Sequence, residues 1–436
     1  MNPRLFGTSG VRRLVSELPK EFVLKLAYSL GTYSDDKKIA IGRDTRSSSE
    51  RLSNEFSSGL LSMGHDVIDL GIVPTPTVAM ASEDYGTAVV VTASHNPPEW
   101  NGFKFWGDGR AYSPEQERGV EGIFYLGEFR DKGSRGSVER RDYMEKHIKR
   151  ILDDVGVIKE RVKVLVDCAN GAGSVITPIL LERMGCEVIA INTEMDGIFA
   201  HGLEPTAENL QETCELIKKN NADIGIAHDG DADRAAAISS NGRLIDWDNF
   251  LAVLAYGKNR VVTTVDASMR IDDVCTEVIR TPIGDVAVAN AISKENAEFG
   301  GEPSGSIIFP ELHLFPDGPL TAAKIVKMVS EHKFYETLEK IKTYPTKRVK
   351  IFYGRGQSPL QLMDKIKSRI LEDFRDDIRE IDELDGVRIK TEGGWFLTRP
   401  SGTEPCIRIT AEAKTEALLT NLIERGSKCI HSVINS

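Results

Sequence analysis

Lys38-Ile39-Ala40-Ile41-Gly42-Arg43-Asp44 opens a pattern that returns twice, as Lys163-Val164-Leu165-Val166-Asp167 and as Arg260-Val261-Val262-Thr263-Thr264-Val265-Asp266. Each copy is a basic residue, a short β-branched run and an aspartate, which reads as a buried strand whose carboxyl end carries an acid. A helix-period stretch follows each one. A second short strand comes next, at 65–69, 186–190 and 276–280, and helix then closes toward a third at 87–91, 223–227 and 297–300. Strands alternating with helical stretches indicate parallel α/β units. The chain therefore reads as three copies of one such unit. Ligands of open α/β sheets bind beyond the carboxyl ends of the strands, which is where the most informative loops of this sequence fall.

Boundaries follow from the repeat. The charged, Gly- and Ser-containing stretch 130–141 reads as a surface loop that leads into a helix near 143–152. A second boundary falls near Asp246 and a third near Pro345. Beyond it the pattern changes: 348–353 alternates as a half-exposed strand, 360–374 has the period of an amphipathic helix, and 395–398 and 407–411 alternate again. This last part is an α+β unit that does not repeat the first three. The expected domains are 1–142, 143–246, 247–345 and 346–436.

Composition narrows the class. A chain of 436 residues exceeds one hydrophobic core. Its 40% hydrophobic and 28% charged residues are those of a globular protein, and no apolar run is long enough to span a membrane. Met1-Asn2-Pro3-Arg4-Leu5-Phe6 lacks the apolar core of a secretory signal. Cys168, Cys186, Cys214, Cys275, Cys406 and Cys429 are scattered without a C-x-x-C pair, as expected of reduced thiols in a cytoplasmic protein. A net charge of −11 argues against nucleic-acid binding. Phosphate chemistry in so acidic a chain needs locally gathered cations.

The first informative loop is Thr92-Ala93-Ser94-His95-Asn96-Pro97-Pro98. Ser94 is a hydroxyl nucleophile at the point where a buried strand stops. The prolines stiffen the turn and hold Asn96 extended. His95 is placed to orient a phosphate, and Lys104 is near enough in sequence to share its space. The plain alternative is a Ser/Asn turn that only ends a strand. The second loop, Asp229-Gly230-Asp231-Ala232-Asp233-Arg234, directs three carboxylates to one point. That is hard-cation chemistry, and it favours Mg²⁺ when phosphate supplies the remaining ligand. An EF-hand requires a glycine and a closing glutamate where this chain has Arg234 and Ser240, so that reading fails. A D-x-D site for a sugar nucleotide diphosphate stays open, as does a solvated acidic turn, although three carboxylates repel one another strongly without a cation. A phosphate on Ser94 would add roughly −1.5 to −2 charges. Arg12, Lys104 and Arg234 are the natural neutralising groups, with Arg234 suited to the transferring oxygens.

The third loop, Gly300-Gly301-Glu302-Pro303-Ser304-Gly305, offers a carboxylate and a hydroxyl at a close backbone approach. It suits the vicinal hydroxyls of a hexose or is an ordinary Gly-rich turn. In the last unit, Arg399-Pro400-Ser401-Gly402-Thr403-Glu404-Pro405, with Arg408 beyond, reads as an anion nest with an arginine fork. Gly171-Ala172-Gly173 lacks the full dinucleotide spacing and reads as a tight turn into a helix.

Together these residues resemble the α-D-phosphohexomutase superfamily, over essentially the whole chain. Phe6-Gly7-Thr8-Ser9-Gly10-Val11-Arg12, the Ser94 loop through Asn101-Gly102-Phe103-Lys104, 229–234, 301–305 and 399–404 stand in the family's order and approximate spacing. The resemblance implies four domains around a central cleft: three similar α/β units with mixed, mainly parallel sheets, and a C-terminal α+β phosphate-binding lid. It implies that Ser94 is phosphorylated in the active enzyme, with one Mg²⁺ held by that phosphate and by Asp229, Asp231 and Asp233. By the same resemblance Arg12, His95, Lys104 and Arg234 surround the transferring group, and Glu302 and Ser304 bind sugar hydroxyls. Arg399, Ser401, Gly402 and Thr403, with Arg408, would hold the non-reacting phosphate. Two departures stand out: Ser306, where many relatives have His, and Thr281-Pro282-Ile283-Gly284-Asp285, which lacks the His of phosphoglucomutase/phosphomannomutase enzymes.

The form looks like the phosphoglucosamine mutase branch, its archaeal members in particular. The departures leave the general acid/base between Lys104 and His95. The implied activity interconverts glucosamine 6-phosphate and glucosamine 1-phosphate through a bisphosphorylated sugar. The alternatives are a phosphomannomutase/phosphoglucomutase of the same mechanism, a Mg²⁺-dependent sugar phosphatase and a non-enzymatic sugar-phosphate sensor. The expected partners are hexose or hexosamine phosphates, without nucleic acid or membrane, for a monomer or homodimer.

Overall fold

The computed structural model describes residues 4–7, 9–130, 134–354, 358–401 and 405–435. Its first three sheets repeat one topology. A central strand (Lys38–Arg43, Lys163–Asp167 or Arg260–Thr264) pairs in parallel with Asp66–Ile72, Glu187–Ile191 or Glu277–Thr281 on one side. On its other side it pairs in parallel with Thr87–Val91, Ile224–His228 or Phe299–Gly301. A return strand then runs antiparallel to the third: Trp100–Gly107, Ala235–Ser239 or Ile307–Ile308.

The sequence pattern locates the three parallel strands but not the return strand. Trp100–Gly107 and Ala235–Ser239 are buried on both faces, and Ile307–Ile308 is very short, so none shows the polar–apolar alternation of a half-exposed strand. Its presence makes each informative loop the connection of a hairpin at the carboxyl end of a buried strand. The loops are thus equivalent positions of one repeated unit.

The first sheet carries two further strands. Val11–Leu14 lies antiparallel to Trp100–Gly107 and sets Arg12 opposite Gly102. A Cβ at Gly102 would lie 2.2 Å from Val11 O, so only glycine permits that approach. Val138–Arg140 adds a parallel edge strand beside Asp66–Ile72. This corrects the reading of 130–141 as loop throughout: the Val-Glu-Arg strand is short and exposed, and has no apolar run to announce it. The last sheet is antiparallel throughout, in the order Thr346–Phe352, Cys406–Ala413, Gly394–Pro400, Val387–Lys390 and Glu380–Asp382. Helices Pro359–Asp373 and Glu416–Ile434 pack on it around Phe374, Phe396 and Ile409.

The cores show how the units are joined. The second and third sheets share one continuous cluster, from Val164 and Ile226 through Phe250 and Leu320 to Val261 and Phe299. Each fully buried Phe in it contributes about 1.5–3 kcal/mol, so these two units form one body. Phe315 of the third unit packs edge-on against Trp106 of the first, 5.9 Å between ring centres. A buried relay adds a polar joint: Thr77 Oγ1 lies 2.9 Å from His147 Nδ1, and His147 Nε2 lies 2.7 Å from Asp317 Oδ2. The fourth unit meets the third through a smaller patch of Val265, Trp395 and Leu397. Beside it the buried Glu412 accepts from Ser268 Oγ, from Met269 N at 2.7 Å and from Trp395 Nε1 at 2.9 Å. Among the described residues, no helix is long and apolar enough to cross a membrane.

Candidate active site

Thr87–Val91 is buried along its length and ends at Thr92. The Thr92 hydroxyl donates to Asp44 Oδ2 at 2.7 Å and accepts from Ser94 N at 2.8 Å. The chain then passes through Ser94 in the left-handed region, φ 52°, which costs a non-glycine residue roughly 1–2 kcal/mol. That turn carries the hydroxyl into the second unit, where Ser94 Oγ donates to Asp229 Oδ2 at 2.7 Å. His95 Nδ1 lies 3.3 Å from the same hydroxyl.

Asp229, Asp231 and Asp233 leave the buried strand Ile224–His228 in a tight turn, with Ala232 also left-handed at φ 51°. One oxygen of each lies within 4.8 Å of the others. Lys104, on the return strand of the first unit, contacts Asp231 Oδ2 and Asp233 Oδ2 at 2.6 Å each. Thr75, at the start of helix Thr75–Tyr85, donates to Asp231 Oδ2 at 2.5 Å. The other oxygens, Oδ1 of Asp231 and of Asp233, are buried and have no hydrogen-bond partner among the described residues. Arg12 Nη1 donates to Asn96 Oδ1 at 3.2 Å, and Arg234 Nε stands 4.0 Å from Asp233 Oδ1.

The electrostatics follow from packing these charges out of water. Burial and the two neighbouring aspartates push the Asp229 carboxyl well above the usual range. Burial would raise Asp231 too, but the Lys104 ammonium overrides it and holds the carboxyl below its ordinary value. Burial opposes the charge on Lys104, and the same two aspartates outweigh it and raise the ammonium. Burial, then Arg234 and Arg12, push His95 down to about 3, so its ring is neutral beside Ser94.

Glu302 enters from the third unit, where its Oε1 accepts from Gly284 N at 2.9 Å. Burial and the nearby Asp285 push its carboxyl up to about 8 against the pull of Arg234. The third loop is fastened to the second: Ala235 N donates to Gly305 O at 3.1 Å, and Arg234 and Ser306 form an antiparallel bridge. Gly305 is left-handed at φ 85°, and a Cβ there would lie 2.6 Å from Ala235 O. Ser304 is half-buried in the same turn.

In the fourth unit Arg399 stands directly across from Arg408 in the Gly394–Pro400 and Cys406–Ala413 pair. Like charges so placed are destabilising in a sheet, and an anion between them offsets this. Arg399 also pairs with Asp385 Oδ2 at 3.8 Å, and Ser401 N donates to Cys406 O at 2.9 Å. Gly402 and Thr403 lie outside the described residues.

The structure thus brings Arg12, Ser94, His95, Lys104, the three aspartates and Arg234 to one point, with Glu302 beside them. Arg399, Ser401 and Arg408 form a second group on the fourth sheet. Gly171-Ala172-Gly173 is a turn beneath the aspartate loop, with Ala172 N donating to Gly230 O at 2.9 Å before helix Thr177–Met184. The sequence reading passed over Thr75, in Pro74-Thr75-Pro76-Thr77, which carries no chemical signature of its own. It named Asp285 only as the end of the loop 281–285, which lacks a histidine.

Comparison with known proteins finds four family models in register along the chain. They are Phosphoglucomutase/phosphomannomutase alpha/beta/alpha domain I over residues 3–131, domain II over 141–242, domain III over 248–346 and the C-terminal domain over 360–426. The chain is 41% identical to a probable phosphoglucosamine mutase of Methanopyrus kandleri, with 99% of each chain covered. It is 42% identical to a probable phosphoglucosamine mutase of Methanothermobacter thermautotrophicus, again over 99% of each. It is 38% identical to a phosphoglucosamine mutase of Methanococcus aeolicus, also over 99% of each. Among solved structures, a phosphoglucomutase/phosphomannomutase family protein of Burkholderia thailandensis superposes with a TM-score of 0.88 at 25% identity, over 99% of this chain and 98% of that one.

Proposed function

Because the chain belongs to the phosphoglucomutase/phosphomannomutase family of α-D-phosphohexomutases, we propose that it is a phosphoglucosamine mutase, interconverting glucosamine 6-phosphate and glucosamine 1-phosphate. The observation that carries this reading is the hydrogen bond from Ser94 Oγ to Asp229, which seats a nucleophile from one unit on a nest of carboxylates from another. The names of the archaeal relatives support glucosamine as the sugar. We take the four units as 1–142, 143–246, 247–345 and 346–436.

In this reading phosphorylated Ser94 gives its phosphoryl group to a sugar hydroxyl. The P–O bond to Ser94 breaks as the P–O bond to the sugar forms, and the hydroxyl proton passes to the enzyme. Of the two candidates, His95 has the neutral ring that can take that proton and later return it, whereas Lys104 is held as an ammonium by Asp231 and Asp233. The bisphosphorylated sugar then turns end for end, and its other phosphate returns to Ser94. Arg12, Lys104 and Arg234 give fixed positive charge where the phosphoryl oxygens develop theirs. Glu302 and Ser304 hold the sugar hydroxyls, and Arg399, Ser401 and Arg408, with Gly402 and Thr403, hold the phosphate that is not reacting. Mg²⁺ fits the nest, because Asp231 and Asp233 each keep one buried oxygen without a hydrogen-bond partner among the described residues and carboxylates are hard donors. Asp229, Asp231, Asp233 and the phosphate on Ser94 would hold it, and bound there it neutralises charge on the phosphoryl group.

The same mechanism on glucose or mannose phosphates is the second reading, favoured by the description of the Burkholderia neighbour. Turnover of glucosamine, glucose and mannose 6-phosphates measured side by side separates the two. Glucosamine is expected to be fastest, and faster glucose or mannose turnover overturns the assignment.

Glu302 provides a pH test. Its carboxyl, up to about 8, is protonated at neutral pH and can donate to a sugar oxygen as well as accept. As pH rises through that value the proton is lost and repulsion from Asp285 grows, so KM should rise. Glu302→Gln keeps a donor and an acceptor at every pH. The ratio of wild-type to variant KM, which cancels titration of the substrate, is expected to climb above pH about 8. A flat ratio counts against the role.

A further inference from the structure

Arg46 lies outside every motif described above, yet it is one of the largest fully buried side chains, 2% exposed. All five of its N–H donors are used. Nε donates to Asp44 Oδ2 at 3.1 Å. Nη1 donates to Pro97 O at 2.7 Å and Trp100 O at 2.9 Å, and Nη2 to Ser94 O at 2.8 Å and Asn96 O at 2.6 Å. Four carbonyls of the nucleophile loop therefore converge on one guanidinium.

The partner of that guanidinium is itself fixed. Asp44 accepts from Ser49 Oγ at 2.5 Å, from Thr92 Oγ1 at 2.7 Å and from Arg46 N at 3.1 Å. Thr92 Oγ1 in turn accepts from Ser94 N at 2.8 Å. Both backbone polar groups of Ser94 are thereby tied to the Asp44–Arg46 pair, one through Thr92 and the other directly. This is the residue held at φ 52°.

The same turn docks the second unit. Thr45 Oγ1 donates to Asn170 O at 2.7 Å, and the Phe199 ring centre lies 5.7 Å from the Arg46 guanidinium carbon. Gly197 comes so near that a Cβ would lie 2.7 Å from Ser47 N. The unit docked here also carries Asp229, the acceptor for Ser94 Oγ.

We infer that Arg46 is a positioning residue for phosphoryl transfer: it sets the Ser94 hydroxyl against the aspartate loop without touching the substrate. The inference rests on the reading of Ser94 as the phosphoryl carrier. A buried ion pair is weak evidence for stability, whereas a five-donor fork closed on one loop is a device for geometry. Lysine has three donors and no fork, so Arg46→Lys keeps the charge and loosens the loop.

The test uses the full chain with Mg²⁺. Arg46→Lys is expected to fold and to lose roughly 10²-fold in kcat, the cost of about 1 Å of misplacement, with a much smaller change in KM. It should also release more inorganic phosphate per turnover, because loosened phospho-Ser94 is attacked by water: the P–O(Ser94) bond breaks, a P–O(water) bond forms and Ser94 regains its proton. A purely structural role lowers thermal stability but leaves kcat per folded molecule and phosphate release at wild-type levels, and that result overturns the inference. Should Arg46→Lys not fold, Asp44→Asn decides the matter in the same two readouts, since it weakens the anchor and leaves the fork in place. Wild-type enzyme whose labelled Ser94 phosphate does not chase into sugar overturns the carrier reading, and this inference with it. A normal wild-type chase beside unaltered variants overturns the inference alone.

Discussion

Ser94→Ala is expected to keep the four-unit fold and to lose at least about 10⁴-fold in isomerase turnover, as when a nucleophile acting within a catalytic unit is removed. The remaining groups bind and neutralise a phosphate but have no atom to carry it between the two sugar positions. The stability cost is modest by comparison. Asp229 loses the hydroxyl that donates to it at 2.7 Å, and an unsatisfied buried acceptor costs about 1–3 kcal/mol. The pairing of a large kinetic loss with a small change in stability is the signature of a nucleophile. Turnover followed by phosphorus NMR, beside intact-mass measurement of the loop peptide, checks both halves: wild-type enzyme carries one phosphate on that peptide and the variant none. A variant that isomerises at the wild-type rate removes the covalent mechanism altogether.

What the sequence made legible was the part of the site written in one stretch of chain. Ser94 and the three aspartates each follow an apolar run that hydrophobic periodicity marks as a strand, so their place at a sheet's carboxyl end followed directly. Lys104 was only near in sequence. What puts its ammonium on the aspartates is the return strand Trp100–Gly107, buried on both faces and therefore without alternation to betray it. Thr75 and Arg46 illustrate a second kind of silence. Each acts on a motif from a distance in sequence, 156 residues for Thr75 to Asp231 and 48 for Arg46 to Ser94, and a single sequence does not record which loops a fold sets face to face. Val138–Arg140 is a third case, an edge strand whose backbone pairing does what its side chains do not advertise.

Lys104→Met should separate charge balance from catalysis at the same point. Lys104 Nζ lies 2.6 Å from an oxygen of Asp231 and from one of Asp233, and all three groups are almost wholly out of water. Methionine fills similar space without charge, so the variant leaves two buried carboxylates uncompensated, a change that costs about 3–5 kcal/mol where one partner of a buried ion pair is removed. In chelator the variant is therefore expected to unfold at distinctly lower temperature than wild type, and millimolar Mg²⁺ should recover most of the difference, because a cation bound to the aspartates replaces the missing charge. The pH profile has a defined sign. In wild type the Asp231 carboxyl is held below its ordinary value by Lys104, so its contribution to stability is present above the unfolded-state pKa and is lost as pH falls through the lower folded value. Without Lys104 burial carries that carboxyl above its ordinary value instead, so protonation relieves it, and the stability deficit of the metal-free variant should be largest near neutral pH and shrink as the pH falls. Turnover should stay down by about 10²–10³-fold even in saturating Mg²⁺, the usual cost of losing one preorganised charge at the transition state. Metal-free stability equal to wild type would show that Lys104 does not neutralise the nest, and near-normal turnover in Mg²⁺ would show that its charge is dispensable once the ion is bound.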